Sequence, residues 1–187
     1  MKNKSTTYYE KLGVLAPSVP ALLARMAPDR QMVLTAKLTL HYFVKPSELP
    51  RLDLGRFIFD RHLPTGFLVP RSGGLGSERR IDIAPDDRFV MGALLPKSGT
   101  LLRDADPFGR LRRFAAKHDV NLTRDLAWRS CIQYWLTLGT ELDAVVQMAG
   151  LESQTYHPHN SNPVSRGEAR HYFRPVAISR IKALPWR

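Results

Sequence analysis

The side chains that could do chemistry in this chain are mainly basic. Its 187 residues include 28 Lys and Arg against 17 Asp and Glu, a formal net charge of +11 at pH 7. A basic side chain placed at a phosphate releases condensed counterions, so an excess of this size favours a polyanionic partner. A surface that is merely basic is the alternative, because charge alone names no ligand.

Other reactive residues form weaker patterns. His157, His159 and His171 have no Cys pair nearby and no helix to fix the imidazoles, so we predict no metal site. The Gly-Gly-Leu-Gly loop at residues 73–76 lacks the Gly-Lys-Ser/Thr ending of a phosphate loop, and a hairpin turn accounts for it. The single Cys131 excludes an internal disulfide and is expected to be a small core side chain. No cofactor is predicted.

Capping residues and apolar periodicity predict the helices that must position these groups. Ser18 caps a short helix through Met26, and the apolar recurrence from Met32 to Phe43 predicts a core helix. Four more helices are predicted further on: one from Asp86 to near Leu95, one from Asp106-Pro107 through Lys117, one capped by Thr123 or Asp125 through Leu138 and ended by Gly139, and one over residues 141–149 ended by Gly150.

The segment between the two helical regions has the pattern of short strands. Phe57–Phe59, Phe67–Val69 and Ile81–Ile83 are separated by predicted turns at Leu63–Gly66 and Ser72–Gly76. Strands that follow one another without intervening helices indicate antiparallel pairing. The predicted class is therefore α+β, mainly helical with a small three-stranded antiparallel sheet.

Three sequence motifs lie on these predicted elements. They are the turn Lys45-Pro46-Ser47-Glu48-Leu49, the strand Glu78–Ile83, and the spacing from Gly139 through Leu142 and Val145 to Gly150. With the element order, they resemble the catalytic domain of tyrosine recombinases, the phage-integrase group, over residues 28–156. The resemblance implies that fold, double-stranded DNA as partner, and a site of paired arginines, acid–base groups and a tyrosine nucleophile.

The chain departs from that family at its catalytic positions. Lys45 stands where the first arginine belongs, and a point-charge lysine cannot fully copy a bidentate guanidinium at a phosphoryl transition state. The 73–76 hairpin lacks the expected lysine, and Leu151 replaces a histidine. The positions of two acid–base groups are therefore empty.

The second catalytic arginine has two alternative alignments. Matching Asp125-Leu126 to the family motif puts Arg124 at the histidine and Ala127 at the arginine. Counting back from Gly139 puts Asp125 and Trp128 there instead. Neither alignment keeps the pair, although Arg129 is one residue from the required place.

The candidate nucleophile is Tyr156, which follows Leu151 at a shorter spacing than the family uses. A phenol is a weak nucleophile without activating partners, so a surface or packing role is the main expectation. We predict no catalytic residues; if the chain is active, they are Tyr156, Arg129 and Lys45.

Basic residues surround the surface that faces DNA in the family. The candidate DNA contacts are Lys45, Arg71, Arg79, Arg80, Lys97, Arg110, Arg112, Arg113, Lys117, Arg124 and Arg129. The alternative for the helix 107–117 is that Leu111, Phe114 and Ala115 face the core and the arginines are only its solvated side.

The chain is divided into an arm at residues 1–17, loose or packed on the surface, a recombinase-like domain at 18–156 and a tail at 157–187. The tail carries Ile178, Ile181 and Leu184, which could mediate homo-oligomerisation. We find no signal sequence and no membrane span, and predict a bacterial cytoplasmic protein associated with the nucleoid or a plasmid.

The leading functional hypothesis is a DNA-binding protein that has lost strand cleavage and acts as an accessory or regulatory factor of a mobile element. One alternative is an active, diverged recombinase using Tyr156. The other is an adaptor whose basic face meets an acidic protein.

Overall fold

The computed structural model describes residues 14–15, 18–70 and 78–150. Within these ranges the elements are α1 (Ser18–Met26), α2 (Arg30–Leu40), β1 (Phe57–Asp60), β2 (Leu63–Pro70), β3 (Glu78–Asp82), α3 (Arg88–Leu94), α4 (Pro107–Ala116), α5 (Arg124–Thr137) and α6 (Leu142–Ala149). Short 3-10 turns precede β1 and α3. This order confirms the predicted α+β class.

Helix α2 forms the centre of the described domain. All residues from Leu34 to Leu40 are buried, and the helix packs against α1, α3, α4 and α5. Its N-cap is Asp29, whose carboxylate accepts a hydrogen bond from the Met32 backbone N–H at 2.9 Å. The predicted end at Phe43 is wrong. The helix ends at Leu40, since its C-cap His41 leaves the helical conformation with a φ of −128°, and Phe43 then has a φ of 55°, in the left-handed region, although the buried run continues to Val44.

The sheet has the order β1-β2-β3 with both pairs antiparallel, which confirms three consecutive strands. The first turn was predicted at the wrong place, because Leu63–Gly66 lies inside β2. The chain reverses instead at Arg61 and His62, with φ values of 46° and 73°. Two positive φ angles match the twist of a two-residue hairpin. The second predicted turn, Ser72–Gly76, lies outside the described residues.

The later helices begin and end close to the predicted residues. Asp106 caps α4 by accepting from the Gly109 N–H at 2.9 Å, and Thr123, not Asp125, caps α5 by accepting from the Leu126 N–H at 3.1 Å. Gly139 and Gly150 follow α5 and α6 with φ values of 84° and 70°, a conformation that glycine adopts without steric cost.

Two residues of the predicted N-terminal arm are described. Val14 is buried, and the Leu15 backbone N–H donates to the Ser130 hydroxyl on α5 at 2.8 Å. This end of the arm therefore packs on the domain. The predicted tail at 157–187 lies outside the described residues.

Candidate nucleic-acid interface

The turn after α2 is built by reciprocal hydrogen bonds between Lys45 and Glu48. The Lys45 backbone N–H donates to a Glu48 carboxylate oxygen at 2.8 Å, and the Glu48 N–H donates to the Lys45 carbonyl at 2.8 Å. Glu48 is buried, whereas Lys45 is half-buried. The turn therefore fixes the backbone of Lys45 and leaves its side chain at the surface.

Arg79 connects this turn to the sheet by hydrogen bonds. Its guanidinium donates to both Glu48 oxygens at 2.6 Å, to the Phe43 carbonyl at 2.8 Å and to the Met148 carbonyl at 3.0 Å. The two charged side chains are only 2% and 1% exposed. Arg79 thus joins β3 to the turn after α2 and to the end of α6. Its prediction as a DNA contact is corrected, because the buried guanidinium is committed to protein acceptors.

Lys45 meets Trp128 of α5. The Lys45 ammonium lies 6.0 Å from the centroid of the indole ring, near the outer limit of a cation–π contact. The indole N–H of Trp128 is buried and has no hydrogen-bond acceptor among the described residues. Of the two alignments above, the one counted back from Gly139 places Trp128 at the second arginine, and Trp128 is the residue that the structure brings to Lys45.

Helix α5 presents two more predicted residues near its start. Arg124 is exposed in the first turn, and Trp128 follows it by four residues, so the two side chains lie on the same helix face. Arg129 is half-buried and already has an interaction partner. Lys45, Trp128 and Arg124 therefore define what we call the Lys45 face.

Two other predicted contacts are engaged in ion pairs. Arg80 bonds Asp82 at 2.7 Å, with both side chains more than half exposed. Arg110 bonds Asp104 at 2.8 Å and also pairs with Asp29, which ties α4 to the start of α2. The hydrogen bond to Asp104, with the nearby charge of Asp29, raises the pKa of the Arg110 guanidinium. Arg110 has a structural role in addition to any contact with DNA.

The remaining described candidates are exposed and form no ion pair with other described residues. They are Lys97, Arg112, Arg113, Lys117 and Arg124. On α4 the core face is as predicted, with Leu111 and Ala115 buried and Phe114 half-buried. Arg71, Tyr156, Leu151 and the 73–76 hairpin lie outside the described residues.

A buried polar cluster under the sheet was missed by the sequence analysis. Lys37 of α2 pairs with Asp87, which also accepts from the Tyr42 hydroxyl at 2.6 Å. Burial lowers the pKa of Lys37 despite the Asp87 partner, and burial raises that of Tyr42. The signal was a lysine between Ala36 and Leu38 in a helix predicted to be core.

Cys131 was predicted as a small core residue and is fully buried on α5. Its sulfur accepts from the Phe43 N–H at 3.2 Å, and burial raises the pKa of its thiol. In the described ranges no three His, Cys, Asp or Glu side chains are grouped to hold a metal. None of the helices in those ranges combines the length and apolarity needed to cross a bilayer.

Solved structures identify the fold as that of a tyrosine recombinase catalytic domain. The chain is similar to XerA recombinase, with a TM-score of 0.59 and 17% identity over 87% of this chain and 64% of XerA. It is similar to the catalytic domain of bacteriophage HP1 integrase, with a TM-score of 0.59 and 16% identity over 88% of this chain and 86% of that domain. No protein-family model and no curated protein matches.

Proposed function

We propose that this chain binds double-stranded DNA through its recombinase-like fold without cutting it, as an accessory or regulatory factor of a mobile element. The fold and the net charge of +11 support DNA as the partner. The predicted bacterial setting, on a nucleoid or plasmid, belongs to the same proposal.

The observation that carries the proposal is the Lys45–Trp128 pair. Strand transfer through a tyrosine needs planar donors that stabilise charge developing on the nonbridging phosphate oxygens. A single ammonium beside an indole offers one mobile charge, which attracts a ground-state phosphate but holds no fixed bidentate geometry. The Glu48–Arg79 anchor keeps Lys45 at this position. The arrangement is therefore suited to binding a backbone phosphate and poorly suited to cleavage.

The exposed cations extend this interaction beyond one phosphate. Arg124 shares the Lys45 face, and Arg112, Arg113 and Lys117 lie on the solvated side of α4. Contacts of this kind provide affinity with little sequence preference.

Fluorescence anisotropy with a labelled duplex across a salt series tests the binding. We expect affinity to fall as salt rises, and Lys45→Ala to weaken binding and flatten the log–log slope by roughly 0.9, the contribution of one phosphate contact. Arg25→Ala is the matched control, an exposed arginine on α1 outside the candidate set. Affinity that is independent of salt would exclude the proposal. An acidic protein partner that duplex DNA cannot displace would favour the adaptor.

A nicked suicide duplex tests the absence of cleavage. An active recombinase would leave a covalent protein–DNA adduct on a denaturing gel, and Tyr156→Phe would abolish it. We expect no adduct with either protein. An adduct that depends on Tyr156 would instead establish the diverged recombinase. Self-association through the tail, predicted from Ile178, Ile181 and Leu184, stays a separate prediction.

A further inference from the structure

An exposed apolar patch lies where the β1–β2 hairpin meets α3. Its large side chains are Phe59, Leu63, Phe89 and Val90, exposed by 47%, 39%, 76% and 37%. Isolated exposed apolar residues are ordinary on protein surfaces, but contiguous ones mark interaction sites. We call these four residues the hairpin patch.

The contact between α3 and the hairpin brings Phe59, Leu63 and Phe89 together, and Val90, one residue after Phe89 on α3, lies at the edge of the patch. A Cβ at Gly92 would lie 3.3 Å from the Pro64 Cδ and 3.8 Å from the Leu63 Cδ2. Phe89 lies three residues before Gly92, on the same side of the helix. Phe59 is the cross-strand partner of Pro64, so its side chain is on the same face of the sheet.

The charges at the hairpin tip are self-complementary. Asp60 and Arg61 are adjacent and exposed, and neither forms an ion pair with another described residue. The charges of Asp60 and Arg61 sum to zero, whereas the chain as a whole has a net charge of +11. Two copies of a chain with this net charge repel each other over most of their surfaces. At the neutral hairpin tip this repulsion is small.

We propose that the hairpin patch binds a second copy of this chain. Around a two-fold axis the same patch is used by both copies, so Asp60 of one copy meets Arg61 of the other while the apolar side chains pack together. An apolar, locally neutral surface is a poor match for DNA phosphates. The proposal does not depend on DNA binding by the Lys45 face.

Sedimentation or light scattering over a dilution series, with the full chain and no DNA, tests the assembly. We expect the mass to approach twice the 21.2 kDa of one chain as concentration rises. Phe89→Ser removes the most exposed apolar side chain with little effect on folding, and we expect a monomer. Leu22→Ser on α1, where Leu22 is 46% exposed, is the matched control and keeps the dimer.

A charge swap tests the two-fold arrangement. Arg61→Asp places like charges against each other in the dimer and is expected to weaken it by tenfold or more, about 1.4 kcal/mol. The double variant Asp60→Arg with Arg61→Asp restores opposite charges and is expected to recover dimerisation. The proposal is overturned if wild type is monomeric throughout, if duplex DNA is required for assembly, if Phe89→Ser leaves the dimer intact, or if the double variant fails to recover.

Discussion

At the scale of single residues, the most consequential pair is Glu48 and Arg79. Because both side chains are buried, removing one partner leaves an uncompensated charge in the core. We expect Arg79→Ala to lower the free energy of unfolding by about 3–5 kcal/mol. The neighbouring Arg80→Ala removes an exposed pair and should change it by less than about 1 kcal/mol. Urea denaturation measures both, and equal losses would contradict a structural role for Arg79.

His41 gives the stability of the domain a defined dependence on pH. Burial, and the nearby charge of Lys37, lower the pKa of His41 to about 3. An unfolded histidine titrates near a pKa of about 6.5, so the unfolded state binds a proton first as pH falls. The stabilisation from neutral His41 is therefore complete above pH 6.5 and is lost towards pH 3.

Comparison with His41→Phe isolates this effect from the titration of carboxylates. We expect the free energy of unfolding of wild type to fall relative to that of the variant by roughly 1.4 kcal/mol for each pH unit within that window. Urea denaturation between pH 7 and pH 4 gives the difference. Parallel curves for the two proteins would show that the folded and unfolded states bind the His41 proton equally well, which would contradict the lowered pKa.

The motifs that form the site could be recognised in the sequence, but the hydrogen-bond partners of their side chains could not. Ser47-Glu48-Leu49 and the strand containing Arg79 were both recognised, yet Glu48 and Arg79 are 31 residues apart and nothing local couples them. Arg79 was therefore placed among the surface arginines. An alternating strand predicts which side a residue faces, but not whether that side is covered by a helix such as α6.

At the scale of elements, local signals predicted the helices well because caps act within a few residues. Asp106, Thr123, Gly139 and Gly150 all have the predicted roles. The β1–β2 turn was missed for the opposite reason. Arg61 and His62 are not among the Gly, Asn and Asp residues that signal such a turn, so the pairing of the strands determines it.

Gly66 shows how the sheet determines a residue that was assigned to a turn. A Cβ there would lie 2.9 Å from the Ile81 carbonyl oxygen, a backbone atom of the adjacent strand. We expect Gly66→Ala to lower the free energy of unfolding by about 1–3 kcal/mol through overpacking. Gly55→Ala is the control, since its nearest atom belongs to the exposed Asp53 side chain at 3.1 Å and not to the backbone. Thermal or urea unfolding of both variants makes the comparison, and an unaffected Gly66→Ala would mean that β2 and β3 separate easily.

At the scale of the whole molecule, positive charge is divided between two uses. Arg79 and Arg110 hold elements together, and Arg80 is occupied by Asp82. The exposed cations of α4 and of the Lys45 face form no ion pair with other described residues, and they are the ones that the proposed DNA contact would use. Net charge alone does not distinguish these two groups, because an arginine in an ion pair and an unpaired arginine each add one charge to the total.

This division predicts which substitutions change the salt dependence of DNA binding. Arg113→Gln removes an unpaired charge from α4, and we expect it to reduce the slope of log affinity against log salt by roughly 0.9 if it contacts one phosphate. Arg80 could contact a phosphate only if its bond to Asp82 broke. We therefore expect the slope of the Arg80→Gln variant to stay near that of wild type. Anisotropy titrations at several salt concentrations measure both slopes. The same loss for both variants would mean that Arg80 exchanges Asp82 for DNA, and the sheet edge would then join the interface.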